Sequence, residues 1–281
     1  VSNGFPGTVP SFDQEQEIDD YYTTGRLGLS YDFTDQTTGF LSYAHGYAAG
    51  GYEKLLIGSA NGDTAEPFRP ATNDAIELGI KHRSADGRFS GNASVFYNRV
   101  KDGQIFDFAF NGPSVEYFFT NQDYNTWGLE LEGRFAVTPD LDIWGSVAWL
   151  DSELVNVSSD TSTGAEDGNQ VPLAPELTAN LGVNYRIDGE RLGIGGEVIL
   201  GGEWTYVSER TADPANSWDI PSYSLVNATA AWSRDNYSFY IFGNNLTDER
   251  PIYFAAEYTP DIHAVSVGQG RVIGAGMSIQ F

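Results

Sequence analysis

Residues 271–281 read RVIGAGMSIQF, and their alternation decides the class of fold. Ile273, Ala275, Met277, Ile279 and Phe281 fall on one side; Val272, Gly274, Gly276, Ser278 and Gln280 fall on the other. A period of two is a strand. One side is apolar, the other small or polar, and the chain stops on an aromatic ring.

The same alternation recurs upstream. Leu177, Ala179, Leu181, Val183, Tyr185 and Ile187 oppose Thr178, Asn180, Gly182, Asn184 and Arg186. Leu129, Leu131, Phe135 and Val137 oppose Glu130, Glu132 and Arg134; Leu27, Leu29, Tyr31 and Phe33 oppose Gly28, Ser30 and Asp32. Five short turn signals separate such segments, at 34–37, 85–88, 138–141, 188–191 and 233–236, spaced 45 to 53 residues apart. Each is rich in residues that accept turn dihedrals. Between the hairpins lie longer stretches with little periodicity, near 49–71, 110–117, 153–172, 208–220 and 249–267. Short turns on one side and long loops on the other, with one apolar face, predict an outer-membrane β-barrel whose short turns face the periplasm. The aromatics Tyr31, Phe33, Phe40, Tyr43 and Trp149 are then expected in the interfacial girdles.

Composition agrees. The 281 residues hold 16 Tyr, 17 Phe, 6 Trp and 32 Gly, a strand-and-turn composition. The net charge of −24 argues against nucleic acid phosphates as partners. The mean hydropathy of −0.31 does not exclude a membrane wall, because only alternate residues of a barrel strand meet lipid. No apolar run is long enough for a transmembrane helix. Without cysteine there is neither a disulfide nor a thiol site. The chain begins with neither Met nor a signal peptide, which predicts a mature form or a piece of a longer protein.

Alternation yields eleven segments: 21–33, 38–48, 72–84, 88–109, 118–137, 141–152, 174–187, 192–207, 221–233, 236–248 and 268–281. Counted back from a periplasmic C-terminus, every short turn falls on the periplasmic side and the first strand runs inward from outside. Single-chain bacterial barrels have an even strand number. The odd count therefore predicts further strands before residue 1, and Phe281 as the end of the closing strand.

Several motifs resemble one family in order and spacing. Glu77-Leu78-Gly79-Ile80-Lys81, then Phe96-Tyr97-Asn98 and Gln104, look like a strand pair of TonB-dependent receptors. The GLELE strand at 128–132, the loop Val171-Pro172-Leu173-Ala174-Pro175 and Asn244-Asn245-Leu246-Thr247-Asp248-Glu249-Arg250 are similar to later signatures of the same receptors. Gly270 stands before Arg271 where the family usually has proline. The resemblance implies an all-β, transmembrane antiparallel barrel, with residues 1–281 as the second half of 22 strands and the plug and first half absent. It implies an outer-membrane receptor for energy-coupled uptake of a scarce nutrient: a ferric siderophore (iron transport), haem, cobalamin or a glycan. Implied partners are outer-membrane lipid, the barrel-assembly machinery reading Phe281, the TonB complex acting through the missing plug, and a small-molecule or glycan ligand. A passive pore and an outer-membrane enzyme are the competing readings.

No catalytic, cofactor or metal site is expected. His45, His82 and His263 are far apart in sequence without ligand spacing. Glu130 and Glu132 share one strand face beside Arg134, which suits lumenal charge better than acid–base chemistry. The acidic loop around Asp160, Glu166 and Asp167 has no fixed calcium-ligand spacing. Gly201-Gly202 and Gly268-Gln269-Gly270 lack the strand-to-helix setting of a nucleotide loop. Ligand contact is expected instead from aromatics in or beside the outer loops: Trp204, Tyr206, Trp218, Tyr253, Phe254 and Tyr258.

Overall fold

The computed structural model describes residues 17–52, 67–111, 114–158, 163–259 and 262–280, with side chains described except at 107–118 and 256–263. Strands β1 (Gly25–Thr34), β2 (Thr37–Ala48), β5 (Ala71–Arg83), β6 (Phe89–Asn111), β7 (Ser114–Thr138), β8 (Leu141–Val155), β9 (Leu177–Asp188), β10 (Glu197–Val207), β13 (Tyr223–Arg234), β14 (Tyr237–Asn244) and β17 (Val272–Ile279) form one antiparallel sheet of eleven strands in chain order. Three two-stranded ribbons decorate the long loops: β3 (Gly51–Tyr52) with β4 (Pro67–Phe68), β11 (Arg210–Thr211) with β12 (Asp219–Ile220), and β15 (Ile252–Thr259) with β16 (Ile262–Val267). Among the described residues, β1 and β17 each pair on one side only.

All five turn signals close hairpins. At the second, Gly87 takes φ +70, and the Asp86 carboxylate accepts from the Ser84 hydroxyl (2.6 Å) and the Arg88 N–H (3.1 Å). Those two bonds hold the Asp86 carboxyl below the usual carboxylate range, the hydroxyl contributing most. Arg88 donates onward to the carbonyls of Ala136 (3.0 Å) and Val137, tying this turn to the next.

The strands differ from expectation where local chemistry overrides alternation. β10 begins at Glu197 rather than near 192, because Gly189–Leu192 turns into a 3-10 helix and Gly193, Gly195 and Gly196 all take positive φ. Pairing of β6 with β7 continues to Asn111 opposite Ser114, so the expected loop at 110–117 is mostly ladder. A bulge between Val100 and Gly103 interrupts that ladder. There Asp102 takes φ +51, and its N–H is satisfied by the Asp123 carboxylate at 2.8 Å.

Register separates the two faces. Leu29, Leu41, Leu78, Val95, Leu129 and Trp149 follow one another across six strands on the apolar face. The opposite face carries Glu77, Asn92, Ser94, Asn98, Thr126, Glu130, Glu132, Asn180 and Thr205 by the same register. Asn98 donates to Thr126 (3.0 Å), Thr205 donates to Asn180 (2.9 Å), and Arg134 pairs with Asp142 (3.2 Å) rather than with the neighbouring glutamates. The apolar face is the exposed one: Leu27, Leu29, Ile273 and Met277 are all more than half exposed. Such exposure is unfavourable in water and expected against lipid.

Aromatics band the apolar face at two heights. Phe33, Phe89, Phe135, Tyr185 and Tyr237 lie near the short-turn ends; Tyr43, Tyr97, Trp127, Trp149, Trp204 and Tyr206 lie towards the long loops. Phe89 and Tyr97 are eight residues apart in β6, about 26 Å along a strand at about 3.3 Å per residue. A strand tilt of about 40° reduces this to about 20 Å of height, comparable to the roughly 25 Å apolar band of outer-membrane barrels. Phe40, expected in a girdle, is on the polar face instead. Its ring lies over Gly79 of the next strand, as Phe96 lies over Gly128 and Trp144 over Gly182. A flat ring needs a neighbour without a side chain, so these pairs cover polar-face backbone and pin register.

Candidate functional site

Full burial is rare in the wall and concentrates at the long-loop rim, where Leu154 and Ile220 are wholly enclosed. Two ribbons meet there. Arg210 of β11, only 6% exposed, donates from Nη2 to the carbonyls of Ile252 (2.8 Å) and Tyr253 (3.4 Å) in β15. Its guanidinium carbon is 5.9 Å from the Tyr223 ring centre, and Tyr223 meets Tyr253 edge-to-face at 5.9 Å and 81°. Thr211, Ile220 and Ala255 complete a small buried core between the ribbons. The loop inside β11–β12 is held by Asp213, which accepts from the Ser217 hydroxyl (2.8 Å), while Asn216 takes φ +54.

This arrangement sorts the expected contact residues. Tyr253 joins the Arg210–Tyr223 cluster, and Phe254 beside it is 39% exposed. Trp218 sits half-buried at the end of the β11–β12 loop, its carbonyl accepting from Ala212 at 2.9 Å. Trp204 and Tyr206 are placed elsewhere. They lie within β10, on the apolar face opposite Leu181 and Ala179, with rings stacked at 6.1 Å. Trp204 donates to the Ser224 hydroxyl at 2.6 Å, a polar tip on an apolar ring, as interfacial tryptophans require. The Tyr258 side chain and Phe281 lie outside the described residues, as does the side chain of His263. Sequence reading passed over Arg210 and Tyr223. Arg210 is the one basic residue of the 208–220 loop, and that was the available signal.

His45 and His82 lie near opposite ends of the β2–β5 pair, bonded to Asp74 (2.8 Å) and Thr37 (2.8 Å). Among the described residues no three His, Asp or Glu side chains converge to hold a metal ion. At the rim the buried Arg210 guanidinium holds the loop carbonyls in place, and the half-exposed rings of Tyr253 and Phe254 are the faces left open.

The last loop is anchored by Asn245, which takes φ +51 and is 6% exposed. Its side chain accepts from the Glu249 N–H (2.9 Å) and donates to the carbonyls of Glu249 (2.8 Å) and Gln269 (3.0 Å). Its own N–H donates to Asn227 at 2.9 Å. Nearby, Asp248 accepts from the Arg271 N–H at 2.9 Å, and this bond chiefly holds its carboxyl below the ordinary range. The knot ends β14 and starts β17 at one level of the wall.

Residues 2–246 match the family model described as TonB dependent receptor-like, beta-barrel. The chain belongs to that family. It is an outer-membrane β-barrel chain. The ferrioxamine receptor of Yersinia enterocolitica is 24% identical over 86% of this chain and 31% of that protein. The ferrichrome outer membrane transporter/phage receptor of Escherichia coli is 26% identical over 75% of this chain and 25% of that protein. Among solved structures, the ferric yersiniabactin uptake receptor FyuA of Yersinia pestis superposes with a TM-score of 0.75 at 22% identity, over 92% of this chain and 37% of that one. The chain thus spans between a quarter and somewhat over a third of the length of these relatives.

Proposed function

We propose that this TonB-dependent receptor barrel chain is the C-terminal part of the wall of a receptor that imports a ferric siderophore. The observation that carries the reading is the two-faced sheet itself: a lipid-facing side, a hydrogen-bonded polar side, and aromatic-lined loops gathered at one rim. Ferrioxamine and ferrichrome proteins among the relatives favour siderophores over haem, cobalamin or glycans. The wall and loops then hold and orient the ligand, while a plug in the rest of the receptor couples its passage to the TonB complex. Tyr253, Tyr223, Trp218 and Phe254 supply ring faces, and this chain performs no bond chemistry.

The test is uptake of radiolabelled iron as ferrioxamine B or ferrichrome by cells that lack their own receptors and express the full-length protein. Saturable uptake that disappears when TonB is deleted is expected. Uptake that is linear in concentration and survives the deletion would mean a passive pore.

A further inference from the structure

The short turns at Asp35, Asp86, Asp140 and Asp235 are each built around an aspartate. The turn between β9 and β10 is longer and of another kind. It reads Gly189-Glu190-Arg191-Leu192-Gly193-Ile194-Gly195-Gly196, and Leu192 (52%) and Ile194 (46%) stand exposed on it. Hydrogen bonds close it into a set shape. The Asp188 carboxylate accepts from the Glu190 N–H (3.1 Å), and the Glu190 carbonyl from the Gly193 N–H (3.1 Å). The Gly189 carbonyl accepts from the Ile194 N–H (3.1 Å), and the Gly196 carbonyl from the Gly189 N–H (2.7 Å). Two apolar side chains are therefore presented on a fixed backbone, on the periplasmic side of the wall.

The turn lies against the lipid-facing side. Trp232 of β13 is on that face by register with Val198 and Ile187, and its ring stacks on Phe239 of β14 at 5.8 Å. Its Nε1–H donates to the Gly195 carbonyl at 2.8 Å. Arg234, two residues on and on the same face, donates from Nη1 to the Ile194 carbonyl at 3.5 Å. Only glycine permits so close an approach at Gly196, where a Cβ would strike the Ser233 carbonyl oxygen. The face beside Trp232 stays apolar and exposed through Phe239, Met277 and Ile279. Leu192 and Ile194 thus prolong the lipid-facing surface past the lower girdle. Charge gives the turn no pull towards an anionic surface: Asp188 and Glu190 outnumber Arg191, and Arg234 is 3.7 Å from Asp235.

We propose that the β9–β10 turn is a membrane foot, which inserts Leu192 and Ile194 among the phospholipids of the periplasmic leaflet. Apolar side chains on an interfacial element sink about 5–10 Å into the boundary between headgroups and acyl chains. Trp232, with its N–H satisfied by the turn, sits where amphipathic rings settle in a membrane. Continuity with the lipid-facing surface selects phospholipid over a periplasmic protein as the partner. The foot sets the depth of the wall at its inner edge, whatever the receptor imports.

The test uses the full-length receptor in phospholipid nanodiscs, with Leu192→Cys labelled by nitrobenzoxadiazole. This chain has no cysteine of its own, and any elsewhere in the receptor is changed to serine. The same label at the exposed turn residue Asp35, as Asp35→Cys, is the reference. At 192 the label should emit further to the blue than at 35. It should be quenched by a nitroxide carried near the headgroup end of a lipid chain and resist iodide in the water. At 35 the order of the two quenchers should be reversed. Adding Ile194→Asp should return the label at 192 to the pattern seen at 35, with heat-modifiable gel mobility reporting that the barrel is folded. Raising the salt should change nothing, because apolar insertion is not screened. Iodide quenching at 192 equal to that at 35 overturns the proposal and leaves the exposed pair to a periplasmic protein. Protection from both quenchers overturns it by placing the turn against the receptor itself. Lipid quenching that survives Ile194→Asp, or that is lost at high salt, also overturns it.

Discussion

Replacing Asn245 should be among the most damaging single changes in the wall. Four side-chain hydrogen bonds are lost in Asn245→Ala: two accepted, from the Glu249 N–H and the Thr247 hydroxyl, and two donated to the carbonyls of Glu249 and Gln269. At about 1 kcal/mol net each, they amount to about 4 kcal/mol. The backbone adds to this. At φ +51 an alanine carries a left-handed penalty of about 1 kcal/mol that asparagine largely avoids. The expected total is about 5 kcal/mol. Asn245→Gly loses the same bonds without that penalty and should be about 1 kcal/mol milder. Asn245→Asp keeps the acceptor but replaces the amide nitrogen that donates both bonds with one oxygen repelled by both carbonyls, and should fall at least as far as alanine. Urea unfolding of the full-length receptor in micelles, followed by tryptophan fluorescence, ranks the three variants. If alanine and glycine cost the same, backbone conformation is not what selects asparagine. If both cost under about 1 kcal/mol, the buried knot does not hold β14 to β17 and the reasoning is wrong.

Other consequences can be checked in the same way. Gly182→Ala places a methyl against the Trp144 ring, and such overpacking should cost about 1–3 kcal/mol of unfolding stability; an unchanged unfolding midpoint would mean the ring is free to move away. Because the Asp86 carboxyl is held below its unfolded value, its stabilisation is present above the unfolded pKa and is lost as pH falls through the folded one. The difference in urea midpoint between the unaltered receptor and Asp86→Ala should therefore shrink on acidification from neutral pH; a constant difference would point to packing instead. Trp204→Ala should lower thermal stability without changing siderophore affinity, whereas Tyr253→Ala should weaken affinity with little effect on stability; the reverse pattern would contradict the placement of Trp204 on the lipid-facing side of β10 and of Tyr253 in the rim ribbon.

The wall was largely legible in the sequence because a sheet with lipid on one side and polar groups on the other writes itself as strict alternation. Leu177 to Ile187 alternates without exception, and β9 spans nearly those residues. Turn residues marked the hairpins for an equally local reason: Asp86 and Gly87 act within five residues of themselves. The rim was not legible. Arg210 bonds to carbonyls 42 and 43 residues away, and neither Tyr223 nor Tyr253 announces the other. Phe40 misled for a different reason. Its ring is on the polar face because Gly79 leaves room for it one strand over, and a residue's own strand cannot reveal the bareness of its neighbour. Trp204 and Tyr206 misled because aromatics near a loop are also aromatics near an interface; register with Leu181 and Ala179 decided between the two.

The strict chain-order pairing of the eleven strands has a consequence for how such a wall can change over time. Each neighbour in the sheet is also the next wall strand along the chain, so altering the length of an outer loop re-threads nothing. Closing a loop of twice the length costs only about 0.6 kcal/mol more. Outside the buried contacts of Arg210 and Asn245, the outer loops can therefore be lengthened or shortened at small entropic cost, while a one-residue slip within a strand would turn every lipid-facing side chain towards the lumen. Variation in length is cheap in the outer loops and forbidden in the strands that meet the membrane.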